Sequence, residues 1–245
     1  MEELIGSFLS EVKGNHDAAS ERLQEFCEAN ANQFSFSHID ASIRNKFIHR
    51  LMEELSTEEE DTNGRPLTFI AKCLEALRVL SRDSSNLKEL VTEDSCQVFL
   101  KLAGLYSDVN NCGELRMDID TVIEKAVVVV EALKCVCNLV YQDGQFRQHA
   151  IKYNCTEGAC LRLMWFRYVK LAREVKFFDL RLLFVLTALE PSERTTALHS
   201  KALELLVAAL DQLIPGAELR HSLLASELKL KESKSESSQS NLTAR

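Results

Sequence analysis

Three segments of the sequence resemble one another: EALRVLSR at residues 75–82, EALKCVCN at 131–138 and FDLRLLF at 178–184. Their first residues are separated by 56 and then by 47 positions, and the longer interval contains the polar stretch Ser107–Met117. Armadillo and HEAT repeats, in which two or three helices form a unit that stacks on the next, recur about every 40–47 residues. The spacing therefore predicts a helical repeat protein.

The composition favours helices along the whole chain. Glycine and proline, which form turns and end helices, occur only 8 and 3 times in 245 residues. Hydrophobic residues make up 46% of the chain and charged residues 27%, which is typical of folded proteins. We predict an all-α, right-handed α-solenoid of armadillo/HEAT-like repeats over residues 1–231. The polar, serine-rich segment 232–245 is predicted to be a disordered tail.

Apolar periodicity and the sparse turn residues set the expected helix boundaries. Pro66 is placed in the first turn of its helix, where a missing amide hydrogen does no harm. The predicted helices are Glu2–Lys13, Asp17–Asn30, Ala41–Leu55, Pro66–Arg82, Asn86–Val91, Ser95–Tyr106, Asp118–Tyr141, Gln145–Lys152, Glu157–Lys170, Glu174–Leu189, Ser192–Leu213 and one from Ala217 to about Lys231.

A narrow polar stripe runs along the helix that contains each of the three similar segments. At about 100° per residue, Glu131, Lys134 and Gln142 all lie within about 40° of Asn138, and apolar residues cover the other sides. The stripes of the other two helices and their edges hold Arg78, Arg82, Phe177, Arg181 and Phe184. An inner solenoid helix needs this pattern, because neighbours cover three of its sides and the fourth faces a groove.

The cationic residues of these stripes have two interpretations. Two guanidinium groups on one helix face, Arg78 and Arg82, suit a carboxylate or phosphate of a ligand. Alternatively, Glu75 or acidic residues of a neighbouring repeat hold the pair, which is then structural. Asn138 can bind peptide main chain with its donor and acceptor, or it serves only helix packing. If the ligand interpretation holds, the groove suits an extended or helical peptide with an acidic end.

The aromatic residues are expected to serve mainly in packing. Phe34 and Phe36 are predicted to close a helix junction. Phe177, Phe178 and Phe184 are expected to lie mostly in the core, and for Phe177 and Phe184 contact with a ligand is the alternative.

Several functional classes lack support in the sequence. A net charge of −8 argues against nucleic acid or an anionic membrane as the main partner. Phosphate-binding loops, G-x-S-x-G and H-E-x-x-H motifs are absent, and the 6 histidines are scattered, so we expect no enzyme, cofactor or metal site. The 8 cysteines form no C-x-x-C pair, which predicts reduced, buried thiols. The apolar stretches are too short to span a bilayer, which takes about 20 residues.

The segments LRVLSRD (77–83), EALKCVCNLV (131–140) and KFFDLRLLFVLTAL (176–189) resemble the synembryn family. The likeness extends from about residue 16 to Leu189, whereas the segment from Glu190 on matches poorly. Members of that family are cytosolic armadillo-like chaperones and guanine-nucleotide exchange factors for heterotrimeric G-protein α subunits. Their N-terminal repeats bind the C-terminal helix of the α subunit in a groove. For this sequence the resemblance implies the binding residues Arg78, Arg82, Asn138, Phe177, Arg181 and Phe184.

The resemblance also implies the setting in which the protein works. We expect a monomer in the cytoplasm, at the cell cortex near the plasma membrane, that acts in G-protein-coupled receptor signalling on a GDP-bound or nascent α subunit. Family members continue with further repeats where this sequence becomes serine-rich, so we expect a short isoform or a truncated product. We expect it to bind the C-terminal helix of the α subunit, and exchange activity is the more doubtful of the two functions. The alternative is a generic armadillo scaffold that binds acidic linear motifs without affecting nucleotide exchange.

Overall fold

A computed structural model describes residues 1–56, 65–84, 87–105, 119–165, 172–205 and 207. Its regular secondary structure within these ranges is helical, without a strand. The helices are α1 (Glu2–Glu11), α2 (His16–Ala29), α3 (Ala41–Ser56), α4 (Leu67–Leu80), α5 (Glu93–Leu102), α6 (Ile119–Glu124), α7 (Ala126–Gln142), α8 (Gly144–Lys152), α9 (Cys155–Trp165), α10 (Arg173–Leu189) and α11 (Pro191–His199). The all-α prediction is confirmed.

Four helices pack side by side in chain order: α2 against α4, α4 against α7, and α7 against α10. Other helices pack against this row, with α1 on α2, α3 on α4, α5 on α7, and α9 and α11 on α10. Each helix of the row thus buries its apolar surface against the helices before and after it in the row, which is the arrangement of an α-solenoid. The right-handed sense of the superhelix stays a prediction.

The helix α7 shows why the sequence folds in this way. Ten of its 17 residues are buried, and they include the run Val128–Val130, Leu133, Val136 and Leu139. Burying a side chain of this size contributes about 1.5–3 kcal/mol, so the helix is stable only between neighbours on several sides. The residues left partly exposed include Glu131, Lys134, Asn138 and Gln142, as the helical wheel predicts.

A buried ion pair joins α9 to α10. The guanidinium of Arg162 donates through Nε to Oδ2 of Asp179 at 2.8 Å and through Nη2 to Oδ1, and both side chains are fully buried. A third donor, Nη1, reaches the carbonyl oxygen of Ala103 just after α5. Burial raises the pKa of the Asp179 carboxyl, whereas the charge and hydrogen bonds of Arg162 lower it. The pair places Asp179 on the buried side of α10, against α9.

Several helix boundaries differ from the prediction. The helix expected over Asp118–Tyr141 is interrupted at Lys125, and this break lets α6 bury Val122. The helix expected over Ser192–Leu213 is interrupted after His199, because Lys201 has a φ of 57°, a left-handed conformation that cannot continue an α-helix. Residues 202–205 and 207 are helical again. Residues 87–91 form turns rather than a helix, and Pro66 precedes the first helical residue of α4.

By spatial clustering, Met1–Ala202 forms one unit and Leu203–Arg245 a second, of which the structure describes only 203–205 and 207. The predicted domain end at residue 231, the helix from Ala217 and the tail 232–245 lie outside the described residues and stay predictions. None of the described helices combines the length and apolar character needed to cross a membrane.

The described cysteines are buried free thiols: Cys27, Cys73, Cys96, Cys135, Cys137, Cys155 and Cys160. Burial raises the pKa of the Cys27, Cys96, Cys137 and Cys160 thiols to about 12. A thiol with so high a pKa is a poor nucleophile and metal ligand at neutral pH. Within the described ranges, moreover, no three side chains of histidine, cysteine, aspartate or glutamate come together as metal ligands would.

Candidate peptide-binding groove

A groove of about 390 Å³ lies along the row formed by α4, α7 and α10 and by the segment that follows α2. It is lined by Phe34, Arg78, Arg82, Lys134, Asn138, Gln142, Phe178 and Arg181. Four of these side chains are cationic, two are aromatic and none is a carboxylate. The groove therefore combines positive charge with apolar surface, which suits an anionic group attached to an apolar body.

Arg78 is held by carboxylates on two neighbouring helices. Its Nε donates to Oε2 of Glu131 at 3.0 Å, and its Nη2 donates to Oε1 of Glu75 at 3.2 Å. Glu131 also accepts a hydrogen bond from Lys134 at 2.5 Å, and Glu75 accepts one from Lys72 at 2.8 Å. Opposite charges thus alternate from α4 to α7. In the protein without a ligand, Arg78 is therefore held by acidic residues of its own and a neighbouring helix, which is the structural interpretation given above.

Arg82 has different surroundings. Because α4 ends at Leu80 and not at Arg82 as predicted, Arg82 lies just beyond the helix, although it lines the same groove as Arg78. Its Nη1 donates to the carbonyl oxygen of Ala31 at 2.7 Å and to that of Asn30 at 3.4 Å, at the negative end of α2. Burial, followed by the charge of Arg78, lowers the pKa of Arg82. Among the described residues, no carboxylate pairs with it.

Arg181 is the second groove cation that lacks an acidic partner in the described part of the chain. It lies on the exposed side of α10 and lines the groove together with Phe178. The ring of Phe178 lies under Lys134, whose Nζ is 5.5 Å from the ring centroid. Lys134 is already paired with Glu131, so the cations available to an anionic ligand are Arg82 and Arg181.

Asn138 lies on α7 and lines the groove with these two cations, and its amide nitrogen serves helix packing. Its Nδ2 donates to Oγ of Ser81 at 3.3 Å, which ties α7 to the end of α4. Gln142 strengthens the same junction by donating to the carbonyl oxygen of Ser81 at 2.6 Å. The amide oxygen of Asn138 accepts no hydrogen bond from the described residues, so it remains available to a backbone N–H of a ligand.

Phe177 and Phe184 do not line the groove. The side chains of these two residues are 56% and 72% exposed, so the expectation that they lie mostly in the core is wrong. The reason is the rotation of α10, which buries Val175, Asp179 and Leu182 and turns Phe177 and Phe184 outward. The structure therefore brings four of the six candidate residues into one groove and leaves these two on a neighbouring exposed face.

Phe34 is a groove residue that sequence reasoning missed. We expected both Phe34 and Phe36 to close a helix junction, and Phe36 does so with no exposed surface. Phe34 instead is 71% exposed, and its ring centroid lies 5.7 Å from Cζ of Arg82. The short pattern Phe-Ser-Phe does not distinguish the two residues, because their burial depends on contacts with residues far away in sequence, namely Arg44, Arg82 and Asp83.

Comparison with known proteins gives the same family as the sequence motifs. A family model described as guanine nucleotide exchange factor synembryn (Ric8) matches residues 73–244. The likeness therefore continues past Leu189, and the expectation of a poor match from Glu190 on is wrong. A solved engineered protein from the Northeast Structural Genomics Consortium has a TM-score of 0.59 at 14% identity, over 89% of this chain and 73% of its own, which supports the fold alone.

Relatives at about 30% identity cover most of the chain. Chaperone Ric-8B of Rattus norvegicus is 31% identical over 185 residues, which are 75% of this chain and 33% of the relative. Chaperone Ric-8A of Danio rerio is 32% identical over 199 residues, or 81% of this chain and 34% of the relative. The chain thus spans about a third of the length of the curated relatives it matches. Since the family model covers more than half of it, the chain belongs to the synembryn family.

Proposed function

We propose that this chain binds α subunits of heterotrimeric G proteins by holding their C-terminal helix in the groove, and that it serves as a chaperone and guanine-nucleotide exchange factor. Family membership supports the class of partner. The observation that supports the groove as the site is the pair Arg82 and Arg181, two cations without carboxylate partners among the described residues, which line it together with Asn138.

The charges of the groove suit a helix that ends in an anionic group. Hydrogen bonds between charged groups contribute about 1.5–3 kcal/mol when water is excluded. Arg82 and Arg181 supply such donors, and the free amide oxygen of Asn138 accepts from a main-chain N–H of the bound helix. Phe34 and Phe178 cover the apolar side chains of that helix. Arg78, already held by Glu75 and Glu131, shapes the groove more than it binds the ligand.

The proposed action is mechanical. Capture of the C-terminal helix draws it away from the strand that supports the guanine-binding loop of the α subunit, and GDP is then held less tightly. No covalent bond forms or breaks on this chain, so it acts without a catalytic residue or cofactor and is not an enzyme. We place it in the cytoplasm as a monomer, near the membrane-bound G proteins, acting on GDP-bound or nascent α subunits.

Two measurements on purified protein test the proposal. Fluorescence polarisation with a labelled peptide of the last dozen or so residues of an α subunit measures binding, and release of labelled GDP from the intact α subunit measures exchange. We expect the chain to bind the peptide. If this short chain retains exchange activity, we also expect it to accelerate the release of GDP. If the peptide binds without acceleration of GDP release, and unrelated acidic peptides bind equally well, the result favours a generic scaffold that binds acidic motifs. If neither the peptide nor the intact α subunit binds, the proposal is refuted.

The matched variants are Arg82→Ala and Lys152→Ala. Both remove one positive charge, but Lys152 lies on α8 in an exposed pair with Glu93, outside the groove lining. Binding should weaken in the Arg82 variant and stay unchanged in the Lys152 variant. Equal weakening in both would mean that net charge, rather than the groove, attracts the peptide.

A further inference from the structure

The segment between α2 and α3 is held firmly against the end of α4. Nη1 of Arg82 donates to the carbonyl oxygen of Ala31 at 2.7 Å, and the carboxylate of Asp83 accepts the N–H of Phe36 at 2.8 Å. Nη1 of Arg44 donates to the carbonyl oxygen of Phe36 at 3.0 Å. Two consecutive residues just after α4 and one of α3 therefore fix the backbone on both sides of Phe34.

This anchored segment exposes one large apolar side chain. Phe34 keeps 71% of its surface in contact with solvent, although Phe36 two residues later is fully buried. The ring lies beside Arg82, with Cζ 5.7 Å from its centroid, so the guanidinium covers one part of the ring and leaves the rest open to the groove. A held backbone with an open aromatic ring is the arrangement of a preformed contact residue, because little entropy is lost when a ligand covers it.

We propose that Phe34 is an apolar anchor of the groove and selects peptides that carry a bulky apolar side chain next to the anionic group bound by Arg82. This inference rests on the proposed function, since the peptide it concerns is the C-terminal helix of the α subunit. A group that binds Arg82 from the groove lies next to the ring of Phe34, because 5.7 Å separates the ring centroid from the guanidinium carbon and both side chains line the groove. Covering an aromatic ring is favourable with a leucine or phenylalanine and unfavourable with a polar side chain.

The opposite part of the groove repeats the same combination. Nζ of Lys134 lies 5.5 Å from the centroid of Phe178, which also lines the groove. The groove thus offers two cation–aromatic pairs rather than a uniformly basic surface. An acidic peptide without apolar side chains should therefore bind weakly, even though its charge is complementary.

A single-tryptophan reporter tests the contact directly. The chain has 1 tryptophan, Trp165, so the variant Phe34→Trp, Trp165→Phe places the only indole in the groove. On titration with a peptide of the last dozen or so residues of an α subunit, the emission should shift to the blue as the ring is covered. An unchanged emission spectrum at saturation, with binding verified by calorimetry, would overturn the proposal.

Affinity measurements on a second set of variants give an independent result. Phe34→Ala should weaken the peptide about 5- to 30-fold, and Phe34→Leu should weaken it less. An alanine scan of the peptide should find one apolar position whose truncation weakens binding to the wild-type chain but adds nothing in Phe34→Ala. Leu198→Ala on α11, where Leu198 is 57% exposed and outside the groove lining, should bind as the wild type does.

The two possible failures are distinguishable. If the wild-type chain binds neither the peptide nor the intact α subunit, the proposed function fails and this inference fails with it. If the wild-type chain binds the peptide and Arg82→Ala weakens it, but Phe34→Ala binds as tightly as the wild type, only the role of Phe34 is refuted. Because Phe34 is exposed, its variants should keep the melting temperature of the wild type, so misfolding does not obscure the result.

Discussion

Arg78 and Arg82 are four residues apart in the sequence, yet their guanidinium groups have entirely different partners. Arg78 donates to Glu75 and Glu131, whereas Arg82 donates to the carbonyl oxygens of Asn30 and Ala31. The cause is the end of α4 at Leu80, which takes Arg82 off the helical face that Arg78 occupies. One arginine therefore stabilises the row of helices, and the other remains able to bind an anion.

This difference predicts opposite effects of two similar substitutions. Arg82→Ala should weaken binding of the α-subunit peptide by about 1–3 kcal/mol, the range for loss of a charge-assisted hydrogen bond, and lower the melting temperature less than Arg78→Ala does, because it removes hydrogen bonds to the carbonyl oxygens of Asn30 and Ala31 but breaks no ion pair. Arg78→Ala should cost about 1 kcal/mol of folding stability, because Glu75 and Glu131 lose a half-buried partner, and should affect binding less. Thermal melting and peptide titration on both variants check this. The reverse assignment of the two effects would refute it.

The carboxylate of Glu131 limits the positive charge of the groove. Glu131→Gln should free Arg78 and Lys134 and tighten an acidic peptide several-fold at low salt, with the gain shrinking as salt increases. Glu93→Gln removes the same charge from the exposed pair with Lys152 and serves as the control. Unchanged or weaker binding in Glu131→Gln would show that Arg78 and Lys134 need their present positions to act.

The polar stripe on α7 could be predicted from the sequence, whereas the surroundings of Arg82 could not. The stripe was predictable because ten buried residues at helical spacing leave few positions for Glu131, Lys134, Asn138 and Gln142. The surroundings of Arg82 were not, because they depend on where α4 ends, and the last turn of a helix is set by tertiary contacts such as those of Ser81 with Gln142. The exposure of Phe34 likewise depends on Asp83 and Arg44, far away in sequence.

The orientation of α10 depended on a residue whose role the sequence did not reveal. Asp179 lies inside the third similar segment, FDLRLLF at residues 178–184. It is buried against Arg162, which lies on the preceding helix in the chain. The helical wheel of α10 already placed Phe177 and Phe184 beside the stripe of Arg181, whereas the buried position of Asp179 depends on Arg162 of another helix.

Removal of one member of this ion pair should therefore be severe. Asp179→Ala should cost about 3–5 kcal/mol of folding stability, because it leaves the Arg162 guanidinium buried and unpaired. The double variant Arg162→Met, Asp179→Leu should recover most of this loss, since an apolar pair needs no compensation. Chemical denaturation measures both. A double variant as unstable as the single one would mean that the Arg162 bond to Ala103 is the more important contact.

The buried thiols predict a loss of stability in alkaline solution. Burial raises the pKa of Cys27, Cys96 and Cys160 to about 12, whereas an unfolded thiol has a pKa of about 8.5. Above pH 9 the unfolded chain therefore releases protons that the folded chain retains. The free energy of unfolding should fall by up to about 1.4 kcal/mol per pH unit for each such thiol until the folded pKa is reached.

The control for this effect is Cys96→Ala, which removes one titrating thiol and leaves the tyrosines and lysines in place. Denaturation between pH 8 and pH 11 should show a shallower decline for this variant than for the wild type, whatever their stabilities at pH 8. Parallel curves would contradict the assignment of the decline to the thiols.

Binding of the C-terminal helix of a G-protein α subunit in the groove is central to the proposed function. The most direct measurement is the affinity of the wild-type chain for a panel of purified α subunits, each intact and without its last dozen residues, by biolayer interferometry. We predict that at least one intact α subunit binds and that truncation weakens it at least about tenfold, the effect of losing about 1.4 kcal/mol. Equal binding of the intact and truncated forms would contradict this role of the groove.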